Sequence, residues 1–176
     1  MKKLVIFVAV LCAAMIGITC SSPSSPGTDG TTNTQYTLSA TVDGASFSSG
    51  AAIAINAYPL DISKRLVDIK GTSASLGQSI EVYFVCPSTV TAAAPVTISA
   101  GNQGSVVVGN YYQGDVGSNV SWTSTATDTA SVTVNSFSVG PGDTVISVDF
   151  SYKAQGGAAS GVQTVKSISA GTLRKK

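Results

Sequence analysis

The sequence predicts an all-β domain, an antiparallel β-sandwich, with a barrel-like closed sheet as the alternative. From Thr34 onward, the sequence contains short runs in which Val, Ile and aromatic residues alternate with Ser and Thr in a period of two, as in strands with one solvent-exposed face. Gly, Pro, Asn and Asp separate these runs, and none of the runs has a helical period. The pattern favours about nine or ten short strands. They cover residues 36–42, 51–58, 66–71, 78–85, 95–100, 105–112, 120–125, 130–139, 144–153 and 162–170.

The first three strands each have one apolar face. In 36–42, apolar residues fill every second position. Asp43 and Gly44 then favour a tight turn, because both residue types tolerate positive φ. The runs 51–58 and 66–71 each carry two Ile or Val side chains on one face, as half-buried strands do.

The middle of the domain is more apolar. The run 78–85 has apolar residues on both faces, which predicts a central or doubly covered strand. The run 105–112 has the same character, and 95–100 between them is a shorter strand. The run 120–125 contains the only Trp of the chain.

The last strands lie on either side of the strongest turn signal. The runs 130–139 and 144–153 flank Gly-Pro-Gly-Asp at 140–143, which predicts a hairpin. A glycine-rich loop leads from it to the last run, 162–170, and we expect Gly171 to end that strand.

The N-terminal segment has the parts of a bacterial export signal. Lys2 and Lys3 precede an apolar run that ends at residue 18, shorter than the roughly 20 residues a transmembrane helix needs. The segment that follows is rich in Ser, Pro, Gly and Thr and has no large apolar side chain to bury, so we expect disorder. The sequence therefore predicts a signal peptide over 1–19, a tether over 20–33 and a single β domain over 34–176.

Cys20 is the candidate lipidation site. Gly17 and Thr19 depart from the strict lipobox, which has an aliphatic residue three positions before the cysteine and a small residue just before it. The alternative is ordinary signal cleavage that leaves Cys20 as a plain thiol. We expect acyl chains such as palmitate on Cys20 to hold the protein at the cell envelope, on the periplasmic or surface face of the outer membrane. Without the lipid, the expected location is periplasmic or secreted.

Composition excludes several classes of function. The chain has no His and only 11% charged residues, which removes the usual general base and the commonest metal ligand. A Ser-His-Asp or Cys-His hydrolase is therefore excluded for this chain alone. The basic residues form no patch of useful size, so we expect no nucleic-acid partner. Most carboxylates lie beside turn residues, and nothing marks one pair for glycoside hydrolysis, so we expect no enzyme, no cofactor and no metal.

Cys86 ends the apolar run 78–85 and precedes Pro87. We interpret it as a small buried hydrophobic residue at the end of a strand. If Cys20 is not lipidated, a Cys20–Cys86 disulfide can form in an oxidising compartment.

Four motifs of the β domain resemble a known family. They cover residues 41–47, 131–134, 148–154 and 165–173, and they are similar to the A-x-V-[DN]-G-x-x-F, G-x-V-x-I, G-x-F-S-F-x-A and V-x-I-T-N-G-x-F motifs of small Bacteroidetes-type lipoproteins of unknown function. The match spans most of the domain in order, and Asp149, Ala170 and Leu173 depart from it. The resemblance implies a lipoprotein β-sandwich and brings no established activity.

Three aromatic residues give the best indication of binding. Tyr111, Tyr112 and Trp122 lie on neighbouring predicted strands or their loops, where exposed rings could form a platform for a sugar ligand. The alternative is that one Tyr and the Trp belong to the core, because aromatic side chains supply large buried areas.

The leading hypothesis is a lipid-anchored, non-catalytic structural or interaction module of the envelope, with the membrane and a protein or polysaccharide as partners. A glycan-binding accessory lipoprotein is the first alternative. A fimbrial or surface-assembly subunit that joins its partners by strand addition is the second.

Overall fold

The computed structural model describes residues 35–49, 52–73, 77–100, 106–114, 120–125, 129–140, 143–157 and 163–176. The predicted signal peptide, the tether and Cys20 lie outside these ranges. Within them the chain forms eleven β-strands and no helix, so no helix is available there to cross a membrane. The strands are β1 (Tyr36–Val42), β2 (Ala45–Ser48), β3 (Ala52–Pro59), β4 (Lys64–Ser73), β5 (Gln78–Pro87), β6 (Val96–Ser99), β7 (Val107–Gln113), β8 (Val120–Thr123), β9 (Ala130–Gly140), β10 (Asp143–Gly157) and β11 (Gln163–Lys175).

The strands pair in the order β2-β1-β11-β10-β8-β7-β5-β4-β3, and β9 pairs with both β10 and β6. Every one of these pairings is antiparallel. The strands form two packed layers, one of which is β3-β4-β5-β7-β8. Strand β10 connects the two layers because it changes partner along its length. Its residues 143–152 pair with β9, whereas Gln155 and Gly156 pair with β8. The sheet is open and sandwich-like. The predicted all-β sandwich is confirmed, and the alternative of a closed sheet is wrong.

The core lies between the two layers, which approach each other closely. The Tyr152 ring of β10 lies against Gly109 of β7, and an added Cβ at Gly71 of β4 would lie 3.2 Å from Leu38 of β1. Alternation along the strands supplies the core side chains, as the period of two predicted. The largest fully buried ones are Leu38, Ile53, Val67, Ile69, Ile80, Val82, Phe84, Tyr111, Phe137, Ile146, Ile168 and Leu173.

The end of the chain corrects one sequence expectation. Gly171 does not end the last strand, because β11 continues to Lys175. A bulge at Ala170, whose φ is +48°, interrupts the pairing with both neighbours and lets the strand resume. Gly171 is needed for packing: an added Cβ would lie 2.3 Å from the Phe150 ring.

One end of the sandwich, which we call the terminal end, carries the first and the last of the described residues. Gln35 and Lys176 lie there, joined by a 2.7 Å backbone hydrogen bond. The register places the β3–β4 connection (60–63), the β5–β6 connection (88–95) and the β9–β10 turn at the same end. Hydrogen bonds join these parts: Ser88 N to Ser63 O, Val90 N to Phe137 O, and Tyr36 Oη to Thr144 O, each 2.8 Å.

Candidate functional site

A cluster of polar and aromatic side chains occupies the outer face of the layer β3-β4-β5-β7-β8. Its members share the face directed away from the core and come from four neighbouring strands. We call it the outer-face cluster; it comprises Asn56, Asp68, Lys70, Glu81, Tyr83, Asn110 and Tyr112. The register aligns Lys70, Glu81 and Asn110 across the sheet, with Asp68 and Tyr83 aligned in the adjacent position. Directly opposed side chains on one face lie close enough to interact.

Glu81 is the centre of the cluster and is only 6% exposed. Its Oε2 accepts hydrogen bonds from Asn110 Nδ2 at 3.0 Å and from the Tyr112 hydroxyl at 2.8 Å. Tyr83 also hydrogen-bonds this carboxylate, and Lys70 Nζ lies 4.0 Å from Oε1. Because an ionised carboxylate only accepts hydrogen bonds, this set of donors suits its charged form.

The two tyrosines remain protonated donors over the ordinary range of pH. Burial, together with the hydrogen bond to Glu81 and its charge, raises the pKa of Tyr112 to about 12. The same causes, with burial first, raise the pKa of Tyr83. Lys70 lies over the Tyr112 ring, 5.2 Å from its centroid, with a side chain that is 44% exposed.

Asp68 is the second carboxylate of the cluster. Burial raises its pKa, the hydrogen bond from Asn56 opposes the shift, and the charge of Glu81 adds to it. Asn56 Nδ2 donates to Oδ2 at 3.3 Å. The other oxygen, Oδ1, is buried and has no hydrogen-bond donor among the residues described. The cluster therefore holds Glu81, which accepts several hydrogen bonds, beside Asp68, which accepts one at Oδ2 and none at Oδ1.

The three aromatic residues singled out from the sequence do not form one surface. Tyr111 and Trp122 are 1% and 5% exposed, and their ring centroids lie 5.4 Å apart within the core. Trp122 Nε1 donates to Thr164 Oγ1 at 2.9 Å, and Lys166 lies over the indole ring. Tyr112 lies on the opposite face, because adjacent residues of a strand alternate. Of the three, Tyr112 alone belongs to the outer-face cluster.

Sequence reasoning missed Asp68, Glu81 and Tyr83 as members of a site. The pattern that marks these residues is a pair of polar or aromatic side chains two positions apart in a strand, repeated in the neighbouring strands. Glu81 and Tyr83 form such a pair in the most apolar run. The pattern was not usable without the register, because no short-range pattern tells which strands are neighbours.

Cys86 is buried at the end of β5, as the sequence predicts, and burial raises the pKa of its thiol to about 11. The thiol borders a cavity of about 400 Å³ between the terminal ends of β4–β5 and β6. A second cavity of about 340 Å³ borders Phe150 and Gly171. The described residues contain no group of three His, Cys, Asp or Glu side chains that could hold a metal ion.

Comparison of the chain with protein-family models, with curated proteins and with solved structures gives no match.

Proposed function

We propose that the protein is a lipid-anchored, non-catalytic binding module of the cell envelope, and that its outer-face cluster binds a carbohydrate. One observation carries the choice of ligand. Glu81 is a nearly buried carboxylate on the face of the sheet directed away from the core, and it is surrounded by tyrosine, asparagine and lysine side chains.

The stability of the sheet does not require this arrangement. Burying a carboxylate costs free energy, and a buried ionic group is often replaceable by apolar residues without loss of stability. Apolar or hydroxyl side chains, which are common on the outer faces of this protein, could replace Glu81 together with its hydrogen-bonding partners. A polar cluster of this kind is therefore more economically explained by ligand binding.

The chemistry of the cluster suits a polyhydroxylated ligand. Sugar hydroxyls both donate and accept hydrogen bonds, and the Lys70 ammonium, on a side chain that is 44% exposed, offers them a donor. Asn56, Asn110 and Lys70 add amide and ammonium groups. Tyr83 and Tyr112 supply aromatic surface against which the apolar face of a pyranose ring packs.

Export and anchorage are supported by the sequence of the N-terminal segment, with Cys20 as the acceptor of the lipid. Labelling of cells with a clickable fatty acid tests this part. We expect label on the wild-type protein and none on Cys20→Ser. Absence of label on the wild type, or label that survives the substitution, contradicts lipid anchorage.

Affinity electrophoresis in a panel of soluble polysaccharides tests the ligand class. We expect at least one polysaccharide to retard the wild type, and Tyr112→Ala and Glu81→Gln to abolish the retardation. Tyr58→Ala is the matched control, because Tyr58 is an exposed tyrosine of the same face outside the cluster. Equal mobility of the wild type and Tyr112→Ala in every polysaccharide contradicts carbohydrate binding. Trp122 fluorescence is a poor reporter here, because the indole is buried on the other face.

Assembly by strand addition has less support. The described sheet has edges at β2 and β3. The removable end strand that this hypothesis predicts is not at an edge, because β1 pairs with both β2 and β11, and β11 pairs with both β1 and β10. The two terminal strands are therefore both internal to the sheet.

A further inference from the structure

Exposed apolar side chains are concentrated at the terminal end. Seven large hydrophobic side chains of the described residues are exposed, and six of them lie at this end. The six are Tyr58, Leu60, Ile62, Val106, Val139 and Val145. The register fixes their positions: Tyr58 is aligned with Leu66 and Val85, Val85 bonds Val106, and Val139 pairs with Thr144 beside the β9–β10 turn. Val165, the seventh, lies near the opposite end.

The β3–β4 connection presents two of these side chains on a structured turn. Ile62 is 100% exposed and Leu60 is 54% exposed. Asp61 Oδ1 accepts hydrogen bonds from Ser63 N at 2.6 Å and from Ser63 Oγ at 2.8 Å, and Leu60 N bonds Lys64 O at 3.1 Å. The turn is therefore closed by its polar groups, and its aliphatic groups are directed outward.

Basic residues accumulate at the same end. Of the eight Lys and Arg residues in the described ranges, five lie there: Lys64, Arg65, Arg174, Lys175 and Lys176. Among the described residues, the acidic ones at this end are Asp61, which closes the turn, Asp143 at the start of β10, and Asp149, which pairs with Arg174. The terminal end thus combines aliphatic side chains with a surplus of positive charge.

The chain enters the domain at this end. Gln35 is bonded to Lys176, so the segment that leads back to Cys20 joins the β domain among these apolar and basic residues. A lipid on Cys20 would hold the terminal end nearer to the bilayer than the opposite end.

We propose that the terminal end of the sandwich docks on the surface of an anionic lipid bilayer. Leu60 and Ile62 enter the boundary between headgroups and acyl chains, Tyr58 lies at headgroup level, and Lys64, Lys175 and Lys176 bind anionic headgroups. The surplus of positive charge suits anionic headgroups, and a bilayer is favoured over a protein partner because the segment that leads back to Cys20 joins the domain at this end. This inference deepens the proposed function and rests on its membrane location.

Docking would fix the orientation of the ligand site. A tether with a lipid holds the domain near the membrane but lets it rotate, whereas a second contact removes that freedom. The strands would then lie roughly along the normal to the membrane. Glu81 lies six residues along β5 from Pro87, which puts the outer-face cluster roughly 20 Å above the terminal end.

Depth-dependent quenching tests the proposal on the full chain as isolated from cells. The protein is mixed with vesicles of phosphatidylethanolamine and phosphatidylglycerol that contain brominated lipid, and single tryptophans are placed by Ile62→Trp, Val139→Trp and Val165→Trp. We expect the emission of Ile62→Trp and Val139→Trp to be quenched several times more than that of Val165→Trp, the matched control at the other end. Trp122 is buried and gives a common background.

Removing the proposed contacts separates docking from tethering. We expect Leu60→Ser and the double change Lys175→Gln with Lys176→Gln each to remove most of the quenching of Ile62→Trp. Equal quenching at positions 62 and 165, or quenching at 62 that survives both changes, overturns the proposal. Sedimentation also tests the alternative that the terminal end joins two copies of the chain. If Leu60→Ser lowers the sedimenting mass but leaves the quenching unchanged, the terminal end is an interface between copies and the docking proposal is overturned.

The failure of lipid anchorage is distinguishable from the failure of docking. Fatty-acid labelling reports on Cys20 alone. If the protein carries no label but still shows the difference in quenching, docking stands and the lipid does not. If it carries label and shows no difference between positions 62 and 165, the lipid stands and docking is excluded.

Discussion

The hydroxyl of Tyr152 donates a 2.6 Å hydrogen bond to the backbone carbonyl of Asn110 across the core. Tyr152 belongs to β10 in one layer, and Asn110 belongs to β7 in the other. The side chain of the same Asn110 donates to Glu81, so this contact connects the packing of the two layers to the outer-face cluster. Gly109 makes the contact possible, because an added Cβ would lie 2.4 Å from the Tyr152 ring.

We expect Tyr152→Phe to lower the free energy of unfolding by about 1 kcal/mol, since it removes a buried hydrogen bond and keeps the ring. Urea unfolding followed by circular dichroism measures the change. Tyr58→Phe is the control, because that side chain is 41% exposed, and its midpoint should equal that of the wild type. An unchanged midpoint for Tyr152→Phe would mean that the bond between the layers contributes nothing to stability.

We expect Gly171→Ala to destabilise the fold by about 1–3 kcal/mol, because the new methyl group would overlap the Phe150 ring. Gly44→Ala is an informative comparison: its φ is +86° and no atom lies within 4 Å, so strain of the backbone is its only cost. Combining Gly171→Ala with Phe150→Leu should restore part of the loss in thermal unfolding. Strict additivity of the two changes would contradict the assignment to this contact.

Gly171 also illustrates the limit of the sequence prediction. The period of two placed most strands within a few residues, because burial of alternate side chains is a local property of the chain. A glycine after such a run predicts the end of a strand, yet here it continues through a bulge. The reason is the Phe150 ring of the neighbouring strand, and no pattern within 162–175 reveals that neighbour.

The site was less predictable than the fold for the same physical reason. Tyr111 and Tyr112 are adjacent in sequence but lie on opposite faces, and the face directed to the core was not evident in a run that is apolar on both sides. Glu81 becomes notable only when the register places Lys70 and Asn110 beside it. The extra strand β2 was not predicted, because Phe47 is the one buried residue among its four and the strand shows no alternation.

The thiol of Cys86 should be inert in the folded protein. It is 1% exposed and its pKa is raised to about 11 by burial, so at neutral pH it is both covered and protonated. We expect iodoacetamide to modify Cys86 only after denaturation, as measured by mass spectrometry of the peptide that contains it. Rapid modification of the native protein would show that the neighbouring cavity opens to solvent.

We expect Glu81→Gln to destabilise the protein by about 1 kcal/mol, because charged hydrogen bonds from Tyr112 and Asn110 become neutral ones. Glu81→Ala should cost more, since it leaves the buried Asn110 amide without its acceptor. Urea unfolding of both variants measures the two losses of stability. If Glu81→Ala is as stable as the wild type, the donors find other partners and the cluster does not depend on this carboxylate.

Asp68 gives a test of the cluster through pH. Its folded-state pKa lies above the ordinary value of 3.8, so the folded state binds the proton more tightly than the unfolded chain. Stability of the wild type therefore falls as pH rises from the unfolded pKa of Asp68 through its folded pKa, and this loss of stability remains at neutral pH.

Asp68→Asn removes the charge of this side chain and keeps its shape. We expect it to be more stable than the wild type at neutral pH and to lose that advantage as the solution is acidified below the ordinary carboxyl pKa. Denaturant unfolding of both proteins over this range measures the difference. Asp61→Asn is the control, because the hydrogen bonds from Ser63 hold the pKa of Asp61 below its usual value. That control should show the opposite sign, losing stability relative to the wild type at neutral pH. A constant difference between wild type and Asp68→Asn at every pH would exclude the raised pKa and, with it, the electrostatic coupling of Asp68 to Glu81.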